Sequence, residues 1–223
     1  MKNPKGYSLI ELIVVVAILA IVGTAVFGFF LTSSRLYKND SDEVNLQYES
    51  QLAVNQLENL LIDATTAVSY TYSNGGTPVY ITSDAQIPAS ATQTTLTIYN
   101  IVENIDNSGN ITENYEIYNV VWKEKCLFLS KETIDSNGVR KKGEEVKMAE
   151  YVEEFGVSLD KARQKNEIDF KIRFLIGNNE CNNEKNVKVR NHFIINKDIG
   201  EVFPKLSGLV KEKSGDVKGS VSL

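Results

Sequence analysis

The sequence holds one histidine, one tryptophan, two methionines, two cysteines and four prolines in 223 residues. A lone histidine, His192, leaves no second imidazole to support a Ser-His-Asp relay. It falls in an apparent strand, where a partly buried structural side chain is the expected reading. Cys126 and Cys181 match no metal-ligand spacing. No glycine loop of the phosphate-cradling kind occurs. The stretch 106–110, Asp-Asn-Ser-Gly-Asn, offers oxygen ligands but lacks the spaced closing glutamate of a calcium loop, so it reads as a turn. The pairs Glu144-Glu145 and Glu153-Glu154 read as solvated charge. No catalytic set, cofactor or metal is therefore expected, and the chain does not read as an enzyme. Basic residues are outnumbered 24 to 29, for a net charge of −5, and form no cluster. Nucleic acid is accordingly not expected as a partner of the globular part. Proline is absent between Pro4 and Pro78, so nothing of that kind interrupts a helix there.

The chain instead has a long apolar run close to its start. A short basic leader ends at Gly6, and residues 7–31 follow with Glu11 as their only charge. Twenty-five helical residues rise roughly 38 Å, enough to cross a ~30 Å hydrocarbon core with some tilt. A secretory signal peptide has a shorter apolar region, of ~7–15 residues, with the small cleavage-site residue after it. Here the run is longer and Gly6 precedes it. A plain single-span anchor accounts for the length. With Lys2 and Lys5 ahead of the run it also accounts for a cytoplasmic N-terminus and an external head, although Arg35 and Lys38 lie just beyond the span. It does not account for Glu11, because a carboxylate at a bilayer centre costs roughly 2.5–3.5 kcal/mol on insertion scales.

The residues Lys5-Gly6-Tyr7-Ser8-Leu9-Ile10-Glu11-Leu12 resemble the leader and first turn of a type IV pilin or pseudopilin, the family with a class III prepilin signal. The resemblance implies cleavage between Gly6 and Tyr7 by a prepilin peptidase, N-methylation of Tyr7, and an assembly role for Glu11. The family usually has Phe where this chain has Tyr7, so an aromatic is kept. A new α-amino group about one turn from Glu11 gives that carboxylate a counter-charge on a neighbouring subunit. Breaking a buried pair costs ~3–5 kcal/mol, so a subunit docked at the wrong height strands its charge. The negative side chain also suits the first turn of a helix. The implied partners are other pilin subunits, the peptidase/methyltransferase, an inner-membrane assembly platform, and membrane lipid before assembly. The implied product is a minor pilin, or large pseudopilin, of a type IV pilus or type II secretion-like pseudopilus. The alternative is a membrane-tethered binding or adhesin module whose span is a simple anchor. Motility, adhesion, DNA uptake and secretion remain open as the machine served.

Beyond the span, Leu46, Ala53, Leu57, Leu60, Leu61, Ala64 and Val68 fall on one stripe at helical spacing. An amphipathic helix over 32–70 is expected to continue the apolar one and to pack on the head. Gly23 and Gly28 interrupt the apolar run, where small residues permit close helix contact, or bending in place of the proline common in major pilins. From Asn74 onward β-branched and aromatic residues take over. Strands are expected at 79–82, 96–102, 115–122, 126–134, 144–149, 155–159, 168–176 and 187–195. Loops are expected at 85–93 and 177–184, and a hairpin turn at 135–138. The fold class is thus α+β and pilin-like: a long N-terminal helix packed on an antiparallel β-sheet head. The divisions are a leader at 1–6, an assembly helix at 7–31, an amphipathic helix at 32–70, a head at 71–205 and a flexible tail at 206–223. An external head leaves a Cys126–Cys181 disulfide open, beside the reading of two unrelated thiols. Arg190-Asn191 resembles a local pattern of some minor subunits.

Overall fold

A computed structural model describes residues 8–105, 109, 111–191, 193–195 and 202. The chain divides into two compact units, Met1–Asn45 and Leu46–Leu223. One helix, α1 (Leu9–Ile62), contributes to each. Its start is set by Ser8, which accepts the Glu11 N–H on its hydroxyl at 3.3 Å. The backbone N–H groups of Glu11 and Leu12 also bond to the Ser8 carbonyl. Further along, the Thr24 hydroxyl donates to the Ile21 carbonyl at 2.8 Å and that of Thr32 to the Gly28 carbonyl at 3.0 Å. Both hydroxyls are therefore satisfied by the helix's own backbone.

The second unit packs the last turns of α1 on the head. Leu46, Ala53, Leu57, Leu61 and the following Ala64 are buried, as the stripe requires. They join Val68, Tyr70, Leu96, Ile98, Val120, Leu127, Phe155, Phe170, Ile172 and Phe174 in one core. The helix ends at Ile62, however, and does not reach residue 70. Residues 67–73 form strand β1 (Ala67–Ser73). The capture begins at Thr65 and Thr66, β-branched residues whose N–H groups bond to Asn100 Oδ1 and the Tyr99 carbonyl, not to helix carbonyls. Val68 keeps its place in the core as a strand residue, which is why its spacing imitated a helix.

The remaining strands are β2 (Val79–Ile81), β3 (Gln93–Ile105), β4 (Ile111–Lys123), β5 (Cys126–Ile134), β6 (Arg140–Lys142), β7 (Val146–Ala149), β8 (Val152–Ser158), β9 (Glu167–Ile176), β10 (Asn179–Lys188) and β11 (Ile194–Ile195), with a short helix α2 (Ala162–Lys165) before β9. The larger sheet runs β11-β1-β3-β4-β5-β6, with β2 on β1 and β7 on β5; the smaller runs β10-β9-β8. All pairings are antiparallel except β1 with β11, where Ala67 faces Ile194. The architecture is the expected α+β one, a long apolar helix followed by an antiparallel head. At the hairpin turn, Asp135 accepts N–H bonds from Asn137 and Val139 on its carboxylate, and Gly138 takes a positive φ of 78°. The 106–110 turn lies outside the described residues except for Gly109, though Ile105 pairs with Ile111 on either side of it.

The polar stretch 177–184 is not a loop. It is a tight turn at Gly177, with φ 59°, followed by β10 from Asn179. β10 is an edge strand, buried only at Val187 and half-covered at Asn179, Cys181 and Asn183. An edge strand needs few apolar side chains, because its pairing comes from the backbone. Nor is 187–195 one strand: β10 stops at Lys188, and β11 joins the other sheet. The expected tail at 206–223 lies outside the described residues.

On the opposite face of the larger sheet Ala67, Tyr99, Tyr115, Ile117 and Ile134 form a second core with Val202. β1 is thereby buried on both faces, which removes the alternation that marks a half-exposed strand.

Candidate assembly segment and head surface

The N-terminal part of α1 exposes its apolar side chains all round: Leu9 is 77 % exposed, Ile10 71 % and Phe29 75 %. Among the described residues α1 is the helix long and apolar enough to cross a membrane, and none of its most apolar stretch is buried. Glu11 is exposed in its first turn. The spacing Ser8-x-x-Glu11 is that of a capping box, in which an acid at the third helical position also favours the positive end of the helix. That signal is readable from the sequence, and it places a carboxylate and a cap on the same turn. A Cβ at Gly23 or Gly28 would meet nothing within 4 Å, so no contact within the chain requires either glycine. Gly6 and Tyr7, the residues of the expected cleavage, lie outside the described residues, as does His192.

Cys126 and Cys181 are free thiols. They stand in different sheets, Cys126 opening β5 and Cys181 on β10. Cys181 Sγ lies 3.4 Å from the Ser50 hydroxyl on α1 and 3.5 Å from Asn183 Nδ2. The disulfide left open by the sequence is thus not formed; Cys181 is occupied with the helix. Arg190 reaches only the edge of an ion pair, 4.0 Å from Asp63. Among the described residues no group of three or more His, Cys, Asp or Glu side chains is placed to hold a metal ion.

Two charge clusters in the head escaped sequence reasoning, because their members meet only when separate elements pack together. On the outer face of the smaller sheet Lys171 pairs with Asp84 at 2.8 Å and Glu154 at 2.7 Å, and Arg173 with Glu154 at 3.4 Å. Asp84 is aimed by a one-turn 3-10 helix (Asp84–Gln86), whose Gln86 side chain accepts the N–H groups of Thr82 and Ser83. Burial alone would raise the Asp84 carboxyl, but the Lys171 hydrogen bond and charge and the Ser83 hydroxyl hold it below its usual value. The Lys171 hydrogen bond is the main cause that lowers Glu154. On the larger sheet Lys131 pairs with Glu116 at 2.7 Å and sits 5.2 Å from the centre of the Tyr118 ring, while the Tyr118 hydroxyl donates to Glu116 at 2.7 Å. Burial, then the bond to Glu116, raises the Tyr118 phenol.

Residues 1–27 match the family model described as the prokaryotic N-terminal methylation motif, the class III signal of type IV pilins. No curated protein and no solved structure matches the chain. The motif and the apolar helix that carries it support a type IV pilin-like prepilin. The single N-terminal apolar helix is consistent with membrane anchoring.

Proposed function

We propose that the chain is the precursor of a filament subunit, a minor pilin of a type IV pilus or type II secretion-like pseudopilus. The observation that carries this reading is the continuity of the 1–27 methylation motif with an exposed apolar helix whose first turn bears Glu11. In this reading a prepilin peptidase hydrolyses the Gly6–Tyr7 bond on the cytoplasmic side, and the freed amine of Tyr7 is methylated. Lys2 and Lys5 keep the leader inside, so the head lies outside the cytoplasmic membrane. The helix then leaves lipid for a bundle of like helices, where Glu11 meets the N-terminal amine of a neighbour. A head unit of Leu46–Leu223 is large for a minimal major subunit, which favours the minor role.

Co-expression with a prepilin peptidase and its assembly platform tests the reading. Mass spectrometry should find a chain that begins at singly methylated Tyr7. Glu11→Gln should insert and be processed but be depleted from sheared filaments. A chain that still begins at Met1 overturns the processing step, and wild-type incorporation of Glu11→Gln overturns the role of Glu11.

A further inference from the structure

Beside the C-terminal turns of α1 lies a cleft of about 280 Å³, lined by Gln56, Asn59, Leu60, Asp63, Asn100, Tyr118 and Leu129. Its make-up differs from that of the rest of the head surface, where charges are paired across strands. Leu60, Tyr118 and Leu129 are half-buried and pack against the main core, forming an apolar floor. Tyr118 is held rigidly, by its hydroxyl on Glu116 and by Lys131 over its ring. The wall is made of amides. Asn100 Oδ1 is taken by the Thr65 N–H at 2.9 Å, which fixes the side chain and leaves its Nδ2 as a donor. Among the described residues the Gln56 and Asn59 side chains make no hydrogen bond, so each presents a donor and an acceptor. Asp63 adds a carboxylate whose nearest cation, Arg190, is 4.0 Å away.

We propose that this cleft binds a single neutral sugar ring, which gives the head a glycan-recognition role beyond filament assembly. Each sugar hydroxyl both donates and accepts, and so matches side-chain amides, which do the same. The C–H face of a pyranose matches a rigid aromatic and aliphatic floor. Arg190, 4.0 Å from Asp63, offsets the one carboxylate, so the neutral amides dominate the wall. Pockets for drug-sized ligands span roughly 300–1,000 Å³, so this volume suits one ring. The proposal stands whether or not the chain is assembled, because every lining residue lies in the second unit.

The test is saturation-transfer NMR on the full chain in a detergent without a sugar headgroup. The probes are the methyl glycosides of glucose, galactose, mannose and N-acetylglucosamine. At least one should receive magnetisation from the protein. Asn59→Trp fills the cleft from an exposed helix position and should abolish that signal while circular dichroism is unchanged. Gln56→Ala combined with Asn59→Ala should weaken affinity about tenfold, as expected for two hydrogen bonds of ~0.5–1.5 kcal/mol each. Glu184→Trp, on the other sheet, should leave binding intact. Failure of all four probes to bind, or binding undiminished in Asn59→Trp, overturns the proposal.

Discussion

Lys171 reaches Asp84 at 2.8 Å over the bare Cα of Gly156. Gly156 pairs with Lys171 across β8 and β9, and the 82–86 segment folds over the same place. The Leu159 N–H bonds to the Thr82 carbonyl at 2.6 Å, and Ser83 bridges Ser158. The missing side chain is thus the passage through which a turn between β2 and β3 is fastened to the smaller sheet.

A methyl group placed at Gly156 would lie 2.7 Å from both Asp84 Oδ2 and Lys171 Cε and 2.9 Å from Asp84 Cβ. Gly156→Ala should therefore destabilise the head by ~1–3 kcal/mol, the range for overpacking. Asp84→Asn removes only a half-exposed ion pair and should cost ~0.2–1 kcal/mol. Urea titration followed by Trp122 fluorescence separates the two; equal losses would mean that charge, not space, fastens the turn.

Stability should depend on pH at both extremes. Asp84, Glu116, Glu154 and Asp169 all have lowered carboxyl values in the fold. For Glu116 and Asp169 burial pulls upward and is outweighed, by Lys131 and Tyr118 in one case and by Lys161 and Asn186 in the other. Lowered groups stabilise above their unfolded values, about 3.9–4.3, and that stabilisation is lost as pH falls through the folded ones. Lys131 and Lys171 are raised, chiefly by hydrogen bonds to Glu116 and Asp84. Burial, chiefly, raises Tyr70, whose hydroxyl donates to the Phe155 carbonyl at 3.1 Å. These raised groups stabilise below about pH 10, and their contribution is lost as pH rises further. Thermal melts should be flat near neutrality and fall on both sides. A melting temperature still level at about pH 3 would contradict the carboxylate part.

Leu57 is fully buried between α1 and the sheets, whereas Leu19 is 64 % exposed on the apolar part of the helix. Leu57→Ala should cost ~2–5 kcal/mol in head stability, as core truncations do. Leu19→Ala should leave the head's urea midpoint unchanged. A shift in both would show that the two units unfold together.

How far these features can be read in the sequence depends on how local their causes are. β5 is found at Cys126–Ile134, its expected bounds, because turn residues close it at one end and side chains alternate along it. The β3–β4 hairpin is visible for the same reason. β1 is hidden because both its faces are buried and it follows the helix within five residues, so the helical stripe runs on into it. β10 is hidden because an edge strand in this head is almost wholly polar. Glu11, in the first turn of α1, was legible as part of a motif that begins at Gly6. The fastening of Asp84 by Lys171 and the amide-walled cleft were not, since their members come from separate helices and strands and meet only through the topology.

The Ser8 hydroxyl on the Glu11 N–H has a consequence for the cleavage proposed above. The residue that closes the first turn lies on the head side of the Gly6–Tyr7 bond. Trimming at that bond would leave the closure intact. The precursor and the trimmed chain would then share one helix end, and only its charge would change. In the proposed processing, the freed amine would meet a Glu11 whose backbone Ser8 already holds.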